Sequence, residues 1–232
     1  MTIGIPLVAT LFGVAALVLL HRYERSYKKR TRALFFADCL DLLQSYRVTQ
    51  DDVDYPVLVG RYRGYDIRME PVIDHMAWRK LPVLWLKVTV LTEIPYSGVV
   101  DLLMRPHGAE NFTPSPDLEY PVKLPENWPQ DGLLNTDDPE AMPPLDLIAP
   151  HLGLFADDKM KELVVTPNGV RLVARIWQAV RANYVTFREI KFMGDRVDRE
   201  LARELLDGAI AISRSLAETS RSARSLETKA IA

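Results

Sequence analysis

Cysteine is all but missing from this chain, with Cys39 alone among 232 residues. One thiol excludes an intrachain disulfide framework and a cysteine-based zinc site, and it suits a reducing compartment. The four histidines, His21, His75, His107 and His151, are widely spaced and form no His-x-x-x-His pair, so no metal is expected. Eleven glycines are too few and too scattered to cradle phosphates. There is no Gly-x-Gly-x-x-Gly, no Walker loop and no Gly-x-Ser-x-Gly, which removes the common nucleotide loops and the serine-hydrolase elbow. No cofactor is expected from such a chain.

Charge is missing from residues 3–20, where Gly4, Pro6, Thr10 and Gly13 are the only polar or helix-breaking positions. Eighteen residues at 1.5 Å each make about 27 Å of helix, near the hydrocarbon thickness of a bilayer. A cleaved signal peptide would need a basic start and small residues after the run. Here Met1-Thr2 precedes it and His21-Arg22-Tyr23-Glu24-Arg25 follows, so an uncleaved single-pass anchor is expected. Arg22, Arg25, Lys28, Lys29, Arg30 and Arg32 follow the run with only Glu24 opposing them. Positive flanks stay inside, which places the N-terminus outside and the rest in the cytoplasm. These six residues are the candidate contacts to anionic lipid headgroups. The anchor-plus-domain layout suits a bacterial inner membrane.

Outside that belt the chain has a surplus of acid, which argues against a nucleic-acid partner. Ala9 and Gly13 form a small-x-x-x-small pair in the span that suits a homodimer or a membrane-protein partner.

The fold class expected is α+β: a single N-terminal transmembrane helix, then a mainly antiparallel β-sheet domain flanked by helices. Four parts are read: an anchor, 1–20; a basic juxtamembrane segment with an amphipathic helix, 21–50; an α+β domain, 51–218; and a polar tail, 219–232. Leu34, Phe35, Cys39, Leu42, Leu43 and Tyr46 place that amphipathic helix over 31–46. From Pro56 the period changes to two, and a hairpin with Gly64-Tyr65 as its loop would set Arg61 opposite Arg68 and Arg63 opposite Asp66. A strand over 83–94 alternates cleanly but carries Trp85 on its polar face, under another element, with a helix the natural cover.

Residues 99–104 make a further strand. Residues 106–158 hold ten of the sixteen prolines and eleven acids against one lysine, Lys123, and read as a packed irregular wrap. Glu162 to Thr166 and Val170 to Val173 form a second hairpin about Pro167-Asn168-Gly169. Helical and strand periods compete over 174–184, residues 185–192 read as a strand, and a final helix starts from about 196 with Asp195 as its N-cap.

Two constellations could carry function. Arg61, Arg63 and Arg68 could receive an anion or a partner's acidic segment, because like charges facing one another across a sheet need compensation. Glu70, Asp74 and His75, with Arg79 nearby, could serve as acid–base groups of a membrane-proximal enzyme. The leading expectation is a membrane-tethered binding, scaffold or accessory protein without catalysis, and the acid–base reading is its alternative.

Overall fold

The computed structural model describes residues 4–74, 81–108 and 110–231, with side chains from Ala9 to Glu218 among them. A helix, α1 (Gly4–Ala33), runs unbroken from the apolar stretch through the basic one. Among the described residues no helix is long and apolar enough to cross a membrane. Side chains of α1 are described from Ala9, which leaves an uncharged run of twelve residues before His21.

The amphipathic helix expected over 31–46 does not form. Phe35 and Phe36 are fully buried and turn the chain into the core, and a single 3-10 stretch, Ala37–Leu42, follows. Gln44 then donates its amide to the Arg61 carbonyl at 2.8 Å, and Ser45–Thr49 becomes the first strand, β1. Pairing with a neighbouring strand thus overrides a local helical pattern. Cys39 lies buried in the 3-10 stretch, where burial pushes its thiol up to about 12.

Among the described residues nine strands make one sheet. After β1 come β2 (Val57–Tyr62), β3 (Tyr65–Asp74), β4 (Val83–Leu91) and β5 (Val100–Met104). The remaining four are β6 (Tyr120–Val122), β7 (Gly132–Thr136), β8 (Met160–Thr166) and β9 (Gly169–Gln178). Their order is β1-β2-β3-β4-β9-β8-β5-β7-β6, and every pairing is antiparallel. The proline-rich wrap therefore contributes two strands of the sheet as well as covering it.

One face of the sheet carries Leu58, Met69, Leu86, Leu102, Leu163 and Leu172, all buried, at the alternate positions that a pleat directs to one side. A long helix, α4 (Arg199–Ile231), lies over β4 and β9 on this face, with Leu205, Leu206, Ala209, Ile212 and Leu216 turned inward. Each such leucine or isoleucine contributes about 1.5–3 kcal/mol by leaving water. A short helix, α2 (Leu145–Ile148), and the 3-10 stretch Ala149–Ala156 pack beside it. The N-cap is Asp198, whose Oδ1 accepts from the amides of Glu200 and Leu201 at 2.7 and 3.0 Å. The cap thus lies three residues later in the chain than the expected Asp195, and the helix continues through the expected polar tail to Ile231.

Two registers differ from the sequence reading. The first hairpin turns on Arg63-Gly64, both at positive φ (49° and 85°), as a two-residue type I′ loop requires. Arg61 therefore faces Asp66, and Arg68 faces Val59, so the two arginines are not opposite one another. In β9 the register shifts between its pairings with Leu84 and Trp85, leaving Ile176 as the extra residue of a bulge. Ala174 and Trp177 then face the core together, three apart, and this spacing imitates a helix in the sequence. Beyond β9 a short helix, α3 (Arg181–Phe187), occupies part of the segment expected as a strand.

The expected β8–β9 hairpin forms, with Gly169 pressed against β4: a Cβ there would stand 2.1 Å from the Val90 carbonyl oxygen. Gly169→Ala is expected to lower the urea midpoint by the equivalent of about 2 kcal/mol, since strand backbone and not a flexible side chain would have to move.

Candidate functional site

The second face of the sheet is polar along its edges and sealed at its centre. Trp85 on β4 and Val173 on β9 form a small apolar patch, and Phe112 from the proline-rich segment closes over it with ring centroids 5.5 Å apart. The cover expected over Trp85 is therefore an irregular strap, residues 110–117, that ends in a single 3-10 turn, Ser115–Asp117, and not a long helix. Pro114 caps that turn and Pro116 lies in its first residues, where the fixed φ of proline suits helical backbone and its missing amide hydrogen leaves no bond unmade.

Beneath the strap lie two carboxylates with no exposure, Asp101 on β5 and Glu162 on β8. The sheet brings them together: Glu162 faces Leu103, and Asp101 is two residues along on the same face. Thr113 donates its hydroxyl to Asp101 Oδ2 at 2.9 Å and accepts the Ser115 amide at 3.1 Å. Asn135, facing Asp101 from β7, donates to Ser115 Oγ at 2.7 Å. Arg171 reaches Glu162 Oε2 at 3.3 Å from β9. Asp101 Oδ1 and both oxygens of Glu162 still lack a hydrogen-bond partner, as do Arg171 Nε and Trp85 Nε1.

Burial pushes both carboxyls up, Asp101 to about 6 and Glu162 to about 7, and for Glu162 the neighbouring Asp101 charge adds to the effect. The Thr113 hydroxyl and the Arg171 guanidinium oppose the rise without cancelling it. Two carboxyls so placed titrate as a pair and favour holding a proton between them. Covered by the strap and wholly unexposed, the pair can fasten Thr113 to the sheet and store a proton.

Beside them, β8 carries a bulge at Lys161, between Met160 opposite Ala174 and Glu162 opposite Val173. The extra residue re-aims the chain so that consecutive charges both serve this face. Lys161 Nζ bonds to the carbonyls of Met104 and Arg105 at 2.8 Å each and to Glu110 Oε1 at 2.7 Å. Burial lowers the lysine's pKa, with Glu110 opposing. Burial works against Glu110 as well, yet Lys161 and the His107 amide hold its carboxyl below the usual range. The strap is thus fixed at one end by an ion pair, in its middle by Phe112 and Thr113, and at the other end by Ser115.

The residues singled out from sequence lie elsewhere. Arg63 pairs with Asp207 of α4 at 3.2 Å, Arg61 lies 3.9 Å from Asp66, and Arg68 lies 3.3 Å from Glu70. Each guanidinium has its own carboxylate, and the three do not converge on a common point. Glu70 also holds Lys87 at 3.4 Å. Asp74 is buried at the end of β3, and His75 and Arg79 lie outside the described residues.

Of the basic belt, Arg25 pairs with Asp52 at 2.5 Å, Arg32 donates to the Val53 carbonyl at 2.7 Å and lies over the Tyr55 ring, and the Lys29 carbonyl accepts from Gln50. Arg22, Lys28 and Arg30 are exposed along the helix.

Sequence reasoning missed Asp101, Glu162 and Arg171. The expected turn of Pro167-Asn168-Gly169 would set Glu162 and Arg171 on opposite faces; the observed turn is Pro167-Asn168 alone, with Gly169 opposite Thr166, and it sets them on one. Pairing with β5, which brings Asp101 alongside, joins distant parts of the chain and leaves no local pattern.

No known protein family matches this chain, and no curated protein does. Among solved structures it is similar to the crystal structure of the mycobacterial trehalose monomycolate transport factor A, TtfA. The similarity covers 69% of this chain and 70% of that one, at 13% sequence identity and a TM-score of 0.36. A likeness at that level is too low to transfer fold or function.

The raised carboxyls mean that the folded domain holds protons the unfolded chain releases, so their ionisation destabilises the fold as pH rises from about 4 to about 7. His151, whose pKa burial lowers, contributes the opposite slope near neutrality, so the comparison is with a variant. Asp101→Asn is expected to show a smaller fall in unfolding free energy than wild type between about pH 5 and pH 8, the difference being on the order of 1–2 kcal/mol. Lys161→Met is expected to cost on the order of 3 kcal/mol by leaving Glu110 buried without its cation, and adding Glu110→Gln to recover part of that loss.

Proposed function

We propose that this chain is a membrane-tethered binding or accessory protein, held by the N-terminal part of α1 with its α+β domain on the cytoplasmic side. The observation that carries this reading is the exposed apolar length of α1. Phe12 is 76% exposed, Leu17 67% and Leu19 67%, on a helix that then enters a closed core at Phe35 and Phe36. A contiguous apolar surface of this kind is unfavourable in water and marks a lipid or protein contact. Residues 3–8 extend the uncharged run to a spanning length. The basic residues directly after it support the orientation.

The junction supports a fixed presentation. Arg25, Lys29 and Arg32 tie α1 to the turn between β1 and β2, so the domain is held beside the helix from about 8 Å past Leu20 onward. A binding or scaffold role suits a domain whose most unusual polar cluster is sealed beneath a strap.

The full-length chain is expected to remain in the membrane pellet after alkaline carbonate extraction, and a Val14→Glu, Leu17→Glu variant to be released. Release of the unaltered chain would remove the tether. Crosslinking in native membranes is expected to recover a discrete partner, and recovery of the chain alone would remove the binding role while leaving the tether in place.

A further inference from the structure

Resting on the tethered reading, we propose that residues 181–193 form a second membrane contact, a surface that docks on anionic phospholipid headgroups beside the exit of α1. Three observations carry it: position, composition and rigidity.

A cleft of about 560 Å³ separates α1 from the segment after α3. Tyr23, Tyr27 and Lys28 line one wall, and Ile190, Lys191 and Phe192 belong to the other. Tyr23 is three residues past Leu20, about 4.5 Å along the helix. The headgroup layer adds about 6 Å on each side of the hydrocarbon, so this cleft opens at headgroup level when the apolar run is in the bilayer.

Val185 is 61% exposed, Phe187 73% and Met193 88%. Arg181, Arg188 and Lys191 are exposed on the same short segment, opposed by Glu189 alone. Large apolar side chains interleaved with cations are what an interfacial element needs, because the apolar groups enter the acyl boundary while the cations pair with phosphate. The local excess of base stands out because the chain beyond the juxtamembrane belt is acidic. An acidic protein partner would satisfy the cations, but it would leave the adjacency to Tyr23 and Tyr27 without a role.

The segment is also held in shape. The Val180 amide donates to the Lys191 carbonyl at 2.8 Å, Arg188 ends α3 in the left-handed region at φ 56°, and Phe192 is buried. Gly194 lies so close to Trp177 that a Cβ would stand 2.3 Å from its ring. With Phe192 turned inward, its neighbour Met193 is displayed outward on a fixed loop.

The test uses the full-length chain in vesicles of phosphatidylcholine, with or without phosphatidylglycerol, that carry nitroxide-labelled lipid as a quencher. Met193→Cys and Leu11→Cys are each labelled with a fluorophore; Cys39 is buried and does not compete. The Met193 label is expected to be quenched at least about twofold more when phosphatidylglycerol is present, and Arg188→Glu with Lys191→Glu to abolish that difference. An unquenched Met193 label beside a quenched Leu11 label overturns the docking and leaves the tether. Quenching of Met193 that ignores both phosphatidylglycerol and the charge reversals overturns the anionic-headgroup assignment. An unquenched Leu11 label overturns the tether and the docking together.

Discussion

The sheet depends on β9 lying between β4 and β8. Strands β1 to β4 form one antiparallel run, and β5, β7, β6 and β8 form another, and only the pairing of β9 with β4 joins them. Nine registered residue pairs make that seam, from Val83 opposite Gln178 to Leu91 opposite Gly169, and α4 packs across the same two strands. The chain must close a loop over residues 92–168 before the seam forms, an entropic cost that falls early and is offset only when the core assembles. The close fit of Gly169 against Val90 belongs to this seam.

How much of this was legible in the sequence depended on where the deciding partner lay. The alternation of Leu84, Leu86, Val88 and Val90 and the Pro167-Asn168 turn are local signals, and both elements formed. Segment 31–46 was misread because Phe35, with Phe36 stacked edge-on against it, packs on Tyr55 and Trp177, far along the chain. Its last residues answer to β2. The conflict over 174–184 came from a bulge, which changes the strand period by one residue and so resembles a helix where Ala174 and Trp177 share a side. The first hairpin was displaced by one position because Arg63 accepts the left-handed conformation that the reading reserved for Gly64.

The candidate site was less legible still, for a related reason. Asp101 reads as an interruption in an apolar strand, and Glu162 as an ordinary strand-edge acid. Their meaning arises only when β5 is laid beside β8 and the strap covers both. The proline-rich acidic composition announced a wrap, and Phe112 over Trp85 shows what the wrap is for: it hides an aromatic side chain that the sheet's polar face would otherwise present to water. The buried acids are the cost of that cover. They leave the domain less stable when both are charged than a neutral pair would, and more dependent on Thr113 and Arg171.

The absence of a hinge between α1 and the core sets the azimuth of the molecule. Arg25, Lys29 and Arg32 grip the β1–β2 turn from one side of the helix, and the buried pair Phe35-Phe36 follows directly. Rotation of α1 about its long axis is therefore inherited by the domain, much as a key turns with its shaft. Whatever clasps the apolar end of that helix decides which flank of the domain its neighbours meet.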